Sequence, residues 1–183
     1  MSKVHYNRSN LVGRDFPMQL LIMSDTHGDE AIIGRVRGFY PDADIMIHCG
    51  DSELNVNHPH LTPFYKVKGN CDYGQPFPEE VIIEAGALKV YVTHGHLYNV
   101  KSTLMPLSYR ALEVGANIVC FGHSHILGAE QVGDTLFLNP GSLKAPRGRK
   151  EKTFMLAVIS DRNVRLKCLD ENNNLLSEHP FVL

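Results

Sequence analysis

Residues 21–30 read LIMSDTHGDE, an apolar run that ends abruptly in polar residues. The run belongs to QLLIMS (residues 19–24), a continuous apolar stretch typical of a short strand buried on both faces. Asp25 and His27 follow at the point where this strand should become a loop. A carboxylate and an imidazole in that position indicate either a turn or a ligand site, and the rest of the chain distinguishes the two.

Further strands and helices follow this first strand along the chain. Residues 29–40 carry apolar side chains at helical spacing, and Asp29 is a candidate N-cap. Residues 108–116 predict a second helix that ends at Gly115. Strands are predicted within residues 43–51, 64–72, 79–96 (a hairpin that turns at Ala85 and Gly86), 117–125, 128–142 and 152–169. The last two segments predict antiparallel strands, with turns at residues 133–134 and 161–163.

Five of these strands end in small clusters of Asp, Asn or His, usually beside Gly. The clusters are Asp25 and His27; Asp51; Asn70 and Asp72; His94 and His96; His123 and His125. In open α/β sheets, ligands bind outside the carboxyl ends of the strands, so these residues should converge on one rim. Carboxylates, imidazoles and an amide suit divalent metal ions, and there are enough of them for two ions. Mn²⁺ is the predicted metal, with Ni²⁺, Fe, Zn²⁺ and Mg²⁺ as alternatives.

Each cluster taken alone has a simpler interpretation. Asp25 and His27 alone are typical of a helix cap or a turn, Asp51 after Gly50 of an ordinary turn, and Asn70 of a left-handed turn residue. Five such clusters at five strand ends favour the metal site. The histidines outside the clusters are predicted to be surface or packed residues: His5, His48, His58, His60 and His179. The predicted core cysteines are Cys49, Cys120 and Cys168.

Composition narrows the classes of protein that fit. The chain has 183 residues, with 18 basic and 20 acidic side chains, so no basic surplus points to nucleic acid or a membrane surface. Its four cysteines form no CxxC pair, which favours a reducing, cytoplasmic location over a disulfide framework. No apolar run approaches the roughly 18 residues of a spanning helix.

The apolar pattern begins at Met18, and residues 1–17 have no period and no apolar h-region. We therefore predict a flexible N-terminal extension over residues 1–17 and a single domain over residues 18–183. An ordered arm that packs on the body is the alternative. The sequence does not determine the oligomeric state, so a homo-oligomer stays open.

The motifs SDTHG, GD, GNCD, THGH and GHSH, in that order, resemble the calcineurin-like metallophosphoesterase superfamily. The compact spacing and NPGS (residues 139–142) are similar to its small, single-domain YfcE-type phosphodiesterases. The resemblance covers nearly everything after Met18. It implies a four-layer αββα sandwich, in which two mixed β-sheets are flanked by helices, and it implies hydrolysis of a small phosphodiester substrate.

The resemblance also implies how two adjacent metal ions would be held, with Asp51 bridging them. The first ion would be bound by Asp25, His27, Asp51 and His125. The second ion would be bound by Asp51, Asn70, His94 and His123. The implied nucleophile is a metal-bound hydroxide, since a metal lowers the pKa of bound water from 15.7 to about 7. His96 is then a candidate to hydrogen-bond the phosphoryl oxygens.

One position departs from the superfamily pattern. Many members have the sequence Gly-Asn-His where this chain has Gly69-Asn70-Cys71. The His of those members, at the position of Cys71, is thought to bind phosphate or to protonate the leaving group. A thiol with a pKa near 8.5 is poorly matched to that task at neutral pH, which favours diesters with good leaving groups over alkyl monoesters. The general acid is therefore left open among Asp72, His96 and water.

Two other functions fit the fold that the resemblance implies. The retromer scaffold subunit is similar in fold but has a degraded metal site and acts mainly as a binding module. Every expected ligand position here holds a competent residue, which favours an enzyme over such a scaffold. A nuclease is disfavoured, because the sequence shows neither a basic face nor a capping domain.

Overall fold

The computed structural model describes residues 2–7 and 17–183. This part of the chain forms twelve strands and two α-helices. In chain order they are β1 (Lys3–Asn7), β2 (Met18–Met23), α1 (Glu30–Phe39), β3 (Ile45–His48), β4 (Phe64–Lys66), β5 (Glu80–Ala85), β6 (Leu88–Thr93), α2 (Met105–Val114), β7 (Ile118–Cys120), β8 (Leu127–Val132), β9 (Thr135–Pro140), β10 (Thr153–Ser160), β11 (Asn163–Asp170) and β12 (Leu175–Val182). A single 3₁₀ turn, His96–Tyr98, follows β6.

The strands form two mixed six-stranded sheets. Sheet I has the order β12-β11-β10-β2-β3-β4, and sheet II has the order β1-β5-β6-β7-β9-β8. In sheet I, β2, β3 and β4 run parallel, with β4 at the edge, and at the centre of sheet II, β6, β7 and β9 run parallel. Antiparallel hairpins extend both sheets outward.

Alternating side chains of the central strands build three apolar layers. In β2, Leu20 and Ile22 point into the core between the two sheets, whereas Leu21 and Met23 point the other way, against α1. A third apolar cluster joins sheet II to α2. The order helix, sheet, sheet, helix confirms the four-layer αββα sandwich that the sequence motifs imply.

Both helices have the caps that the sequence predicts. The side chain of Asp29 accepts a hydrogen bond from the Ile32 N–H at 3.2 Å, which satisfies one free donor of the first turn of α1. Gly115 ends α2 in the left-handed region, at φ 67°, where a glycine costs no strain. No helix among the described residues is long and apolar enough to cross a membrane.

The N-terminal residues differ from the flexible extension predicted for residues 1–17. Strand β1 pairs in parallel with β5 at the edge of sheet II. Val4 is partly buried and packs against the core between the sheets. The rings of Tyr6 and Tyr65 pack edge to face, with their centroids 4.6 Å apart. Strand β1 is only five residues long and has one partly buried apolar residue, so the sequence shows no recognisable apolar period there. Met1 and residues 8–16 lie outside the described residues, and a domain boundary at Met18 stays a prediction.

Candidate metal centre

The loops after β2, β3 and β4 of sheet I and after β6 and β7 of sheet II lie along one rim. Backbone hydrogen bonds join neighbouring loops, with Asp25 N–H donating to Gly50 O at 3.1 Å and Gly122 N–H to His94 O at 3.1 Å. Hydrogen bonds that involve side chains also cross between the sheets, among them His94 Nδ1 to Cys49 O at 2.7 Å and His123 N–H to Asp25 Oδ2 at 3.2 Å. The structure thus brings the predicted strand-end residues together.

One group at this rim consists of Asp25, His27 and His125. His125 Nε2 lies 3.1 Å from Asp25 Oδ1 and 3.4 Å from His27 Nε2. Asp25 is fully buried, and its Oδ1 has no hydrogen-bond partner among the described residues. Because a buried oxygen without a donor is costly, this atom calls for a ligand.

A second group lies beside the first and centres on His94. His94 Nε2 is 3.2 Å from Asn70 Oδ1 and 3.3 Å from Asp51 Oδ2. The His123 ring packs against the His94 ring, with centroids 5.1 Å apart. Ligand atoms of Asp25, Asp51 and His94 all lie within 4.8 Å of one another, which places Asp51 next to both groups.

The protonation of the imidazoles shows that the two groups fit cations. His94 Nδ1 faces the carbonyl of Cys49, and His125 Nδ1 faces the carbonyl of Ala145 at 2.7 Å. Since a carbonyl only accepts, each Nδ1 carries a proton, and the neutral form of each ring presents the lone pair of Nε2 to the rim. These lone pairs point at oxygens that are acceptors too.

His27 is oriented in the same way: its Nδ1 donates to the carboxylate of Glu53 at 2.6 Å, so its Nε2 faces the rim. In the first group, Asp25 Oδ1, His27 Nε2 and His125 Nε2 are therefore three acceptors facing one another. A single proton can join only two of these three atoms, whereas a metal ion is ligated by all three. The carboxylate or carbonyl behind each imidazole is the usual second partner of a metal-binding histidine.

Backbone strain is concentrated at this rim. Five of the predicted ligands are non-glycine residues in the left-handed region, which bulky L-residues seldom adopt. They are Asp25 (φ 54°), His27 (φ 42°), Asp51 (φ 53°), His123 (φ 66°) and His125 (φ 60°). The surrounding hydrogen bonds hold these conformations, and the turns aim the side chains at a common point.

Two glycines allow the loops to approach this closely. A Cβ at Gly69 would lie 2.0 Å from Asp51 Oδ1, and a Cβ at Gly122 would lie 2.0 Å from Ser24 Oγ and 2.6 Å from Asp25 Oδ2. Any side chain at either position would therefore push a carboxylate away from the rim.

Neighbouring groups shift the pKa values of three of the predicted ligands. Burial acts to raise the pKa of Asp51, but its contact with His94 and the Cys71 N–H lower it well below the usual range. Burial and the neighbouring imidazole of His94 lower the pKa of His123 to about 4, so the His123 imidazole is neutral at pH 7. The close approach of the Asp25 carboxylate raises the pKa of His125. A proton and a metal ion therefore compete for this last ring.

The candidate general acids Asp72 and His96, together with Cys71, lie close to the rim but differ in their surroundings. Asp72 is buried, and its carboxylate accepts from the N–H groups of Asp51, Gly69 and Glu53 at 2.7–2.8 Å. Burial and the charge of Asp51 raise the pKa of the Cys71 thiol to about 11, so the thiol stays protonated. The His96 ring is 5.4 Å from the His94 ring, and its buried Nδ1 has no partner among the described residues.

Sequence reasoning missed several residues that hold the ligands in place. His48, predicted to be a surface or packed residue, is buried with Nε2 3.0 Å from Thr26 Oγ1, and its Nδ1 accepts from Gly50 N–H at 3.3 Å. Ser142, in the NPGS segment, donates its hydroxyl to Asp25 O at 2.8 Å. Glu53 supports His27 from the next loop. Of these, the sequence signalled only NPGS.

Comparison with known proteins identifies the class. Residues 18–162 match the family model described as the calcineurin-like phosphoesterase superfamily domain. The chain therefore belongs to this superfamily, whose members use divalent metal ions.

Individual relatives narrow the class further. The chain is 41% identical to the probable metallophosphoesterase YsnB of Bacillus subtilis over 162 residues, which cover 88% of this chain and 96% of that protein. It is 34% identical to the phosphodiesterase YfcE of Escherichia coli over 167 residues, which cover 75% and 85%. These relatives confirm the resemblance to the YfcE-type branch.

Solved structures share the fold. A conserved uncharacterised protein of Streptococcus pneumoniae, titled a predicted phosphoesterase, has a TM-score of 0.87 and 34% identity, with 91% of this chain and 98% of that chain covered. Vacuolar Protein Sorting 29 of Cryptosporidium parvum has a TM-score of 0.74 and 20% identity, with 92% and 100% covered. At that identity, the second likeness concerns the fold alone.

Proposed function

We propose that this protein is a phosphodiesterase that uses two divalent metal ions, with Mn²⁺ as the proposed metal. The observation that carries the proposal is the set of acceptor atoms at the rim, which face one another without enough protons to join them. A pair of ions at these residues would activate water and neutralise the charge of the phosphoryl group.

The proposed ligands divide between the two groups described above. Asp25, His27 and His125 would hold one ion, and Asn70, His94 and His123 the other. Asp51 lies against His94 and near Asp25, so its carboxylate is the proposed bridge. Cys71 N–H donates to Asp51 Oδ1 at 2.7 Å, which leaves Oδ2 and a lone pair of Oδ1 for the ions.

The remaining residues at the rim would play different parts. Asp72 is a positioning residue in this proposal, because backbone N–H groups of two loops already occupy its carboxylate. Cys71 stays a neutral thiol and offers neither a charge nor an easily lost proton. The half-buried His96 has a free ring nitrogen beside the second group, so we assign it to the phosphoryl oxygens.

The weak acid at position 71 points to diesters. A diester with a good leaving group needs little protonation of that group, whereas an alkyl monoester needs a strong general acid. All four cysteines of the chain are free thiols, which fits the proposed cytoplasmic location.

The test compares two aryl substrates on one metal-reconstituted preparation. We expect kcat/KM with Mn²⁺ to be higher for bis(p-nitrophenyl) phosphate than for p-nitrophenyl phosphate, and we expect chelation to abolish both. A strong preference for the monoester would refute the phosphodiesterase. Absence of turnover with Mn²⁺, Ni²⁺, Fe²⁺, Zn²⁺ and Mg²⁺ would instead favour a non-catalytic binding scaffold.

A further inference from the structure

A cavity of about 390 Å³ opens next to the proposed metal centre. Its wall includes Phe121 and Ser124, which belong to the same short turn as His123 and His125. The turn therefore offers two imidazoles to the rim and presents two other side chains to the cavity. Val100, also in the wall, lies 2.9 Å from where a Cβ on Gly95 would be, beside His94. The cavity thus adjoins the centre through two loops.

The cavity is apolar and has an open mouth. Phe121 and Phe137 form buried walls. Ile126 lies at the mouth with 54% of its surface exposed. Since exposed apolar surface is unfavourable in water, a ligand that covers these side chains gains free energy. A volume of this size is in the range of small-molecule sites and accommodates an aromatic ring.

The charged residues of the cavity favour an anionic ligand. Lys101 and Arg147 line it, and neither forms an ion pair with another described residue. The main chain of Arg147 is held next to the centre, because its backbone N–H donates to His125 O at 3.0 Å. Glu130 is the one acidic residue among the lining residues, so the lining carries a net positive charge. A phosphodiester keeps one negative charge at neutral pH.

A second cavity, of about 290 Å³, meets the centre at Asn70 and His96. Charged side chains line it, among them Lys68 and Glu79. The proposed metal centre thus has an apolar cavity beside the turn after β7 and a more polar one beside the loop after β4. A monoester has one ester group and can use one cavity, whereas a diester can use both.

We propose that the cavity beside the His123–His125 turn binds an apolar, aromatic ester group of the phosphodiester that the centre cleaves. This inference rests on the proposed function and adds the substrate class: an unsymmetrical diester with one apolar and one polar ester group. The apolar group is bound by Phe121, Ile126 and Phe137, while Lys101 and Arg147 attract the phosphate charge.

The experiment compares two diesters with the same leaving group, p-nitrophenyl phenyl phosphate and p-nitrophenyl methyl phosphate. The variant is Gly128→Leu, because Gly128 lines the cavity and a Cβ there meets no atom within 4 Å, so a larger side chain can be added at the wall of the cavity. We expect the ratio of kcat/KM for the phenyl diester to that for the methyl diester to fall about tenfold, mainly through KM for the phenyl diester.

A second variant and a control keep the result interpretable. Ile126→Ser removes an exposed side chain at the mouth, so the fold tolerates it, and it should lower the same ratio by a smaller factor. Val132→Leu adds volume to the same strand outside the cavity and should leave the ratio unchanged. Melting curves confirm that each variant is folded.

The outcomes separate the two levels of the proposal. Hydrolysis of both diesters with an unchanged ratio in Gly128→Leu and Ile126→Ser would overturn the inference and leave the phosphodiesterase standing. Failure of the wild-type protein to hydrolyse either diester with Mn²⁺ would overturn the proposed function, and this inference with it.

Discussion

Two buried polar clusters in this protein have opposite hydrogen-bond balances. In one, the buried carboxylate of Glu80 accepts from Tyr91 at 2.9 Å, from Tyr98 and from Arg110 at 2.8 Å. In the other, at the rim, Asp25 Oδ1 lies among imidazole lone pairs and has no donor among the described residues. The Glu80 cluster is complete on its own, whereas a bound cation would satisfy the facing acceptors of the rim cluster. Burial of charge alone therefore does not mark a metal site, but unmatched acceptors do.

The largest expected effect comes from closing the rim with a methyl group. Gly69→Ala would place a Cβ 2.0 Å from Asp51 Oδ1 and 2.3 Å from Asp51 N. We expect metal affinity and turnover to drop at least about a hundredfold, since even residues behind the ligands cost 10–100-fold. Titration of metal-free protein with Mn²⁺ and kcat measurements test this. The control, Gly38→Ala in α1, meets no atom within 4 Å and should raise the free energy of unfolding by up to about 1 kcal/mol; equal metal affinity in the two variants would contradict the account.

Breaking the Glu80 cluster should affect stability and leave metal binding unchanged. Arg110→Met removes the charge that balances a buried carboxylate, and such changes cost about 3 kcal/mol. The melting temperature should fall by roughly 6–12 °C, at 2–4 °C per kcal/mol. Arg165→Met, which removes an exposed ion pair with Glu178, should cost less than about 1 kcal/mol. Loss of bound metal in folded Arg110→Met would show that the two clusters are not independent.

The same cluster predicts a dependence of stability on pH. Burial raises the pKa of Glu80, but its bonds to Arg110, Tyr98 and Tyr91 outweigh burial and lower it. A carboxylate with a lowered pKa in the folded protein contributes stability above its unfolded pKa of about 4.3, and the contribution is lost as the pH falls through the folded value. Urea melts of metal-free protein between pH 6 and pH 3 should therefore show a weaker decline for Glu80→Gln than for the wild type.

The smallest effect should come from the N-terminal strand. Tyr6→Ala removes an edge-to-face ring contact with Tyr65, which is worth about 1 kcal/mol. We expect the melting temperature to fall by about 2–4 °C with metal binding unchanged. His5→Ala, at an exposed position of the same strand, is the matched control. Identical melting temperatures for Tyr6→Ala, His5→Ala and the wild type would restore the flexible extension that the sequence predicts.

The strands and helices that could be predicted from the sequence are those with a clear apolar pattern. Strand β2 and helix α1 have clear apolar patterns, so their positions followed from the sequence, whereas the layer order was implied by the resemblance of the motifs to a known superfamily. Strand β1 has one partly buried anchor, Val4, and its pairing with β5 joins residues more than seventy positions apart, so no local pattern marked it. Strand β12 contains Pro180 and lies at the outer edge of sheet I, where a missing N–H is tolerated but the strand signal is weak.

At the candidate site, the sequence indicated which residue types gather but not how each is held. The strand-end clusters were visible because Gly and a polar residue recur at five strand ends. The roles of His48 and Glu53 were not visible, because each acts on a ligand from a different loop. Asp72 was a candidate acid by residue type, and only the three N–H groups around its carboxylate point to a positioning role.

The central claim is that Asp51 bridges two metal ions. Asp51→Asn keeps an oxygen for the Cys71 N–H, and its amide can donate to His94 Nε2, so the variant should fold without metal. His27→Ala would remove a proposed ligand of one ion only.

The most direct measurement is the metal content of Mn²⁺-loaded, desalted protein by elemental analysis, with anomalous scattering from crystals to locate the ions. We predict two ions for the wild type, one for His27→Ala, and loss of both ions and of turnover for Asp51→Asn. Two fully occupied positions in Asp51→Asn together with wild-type turnover would contradict the account.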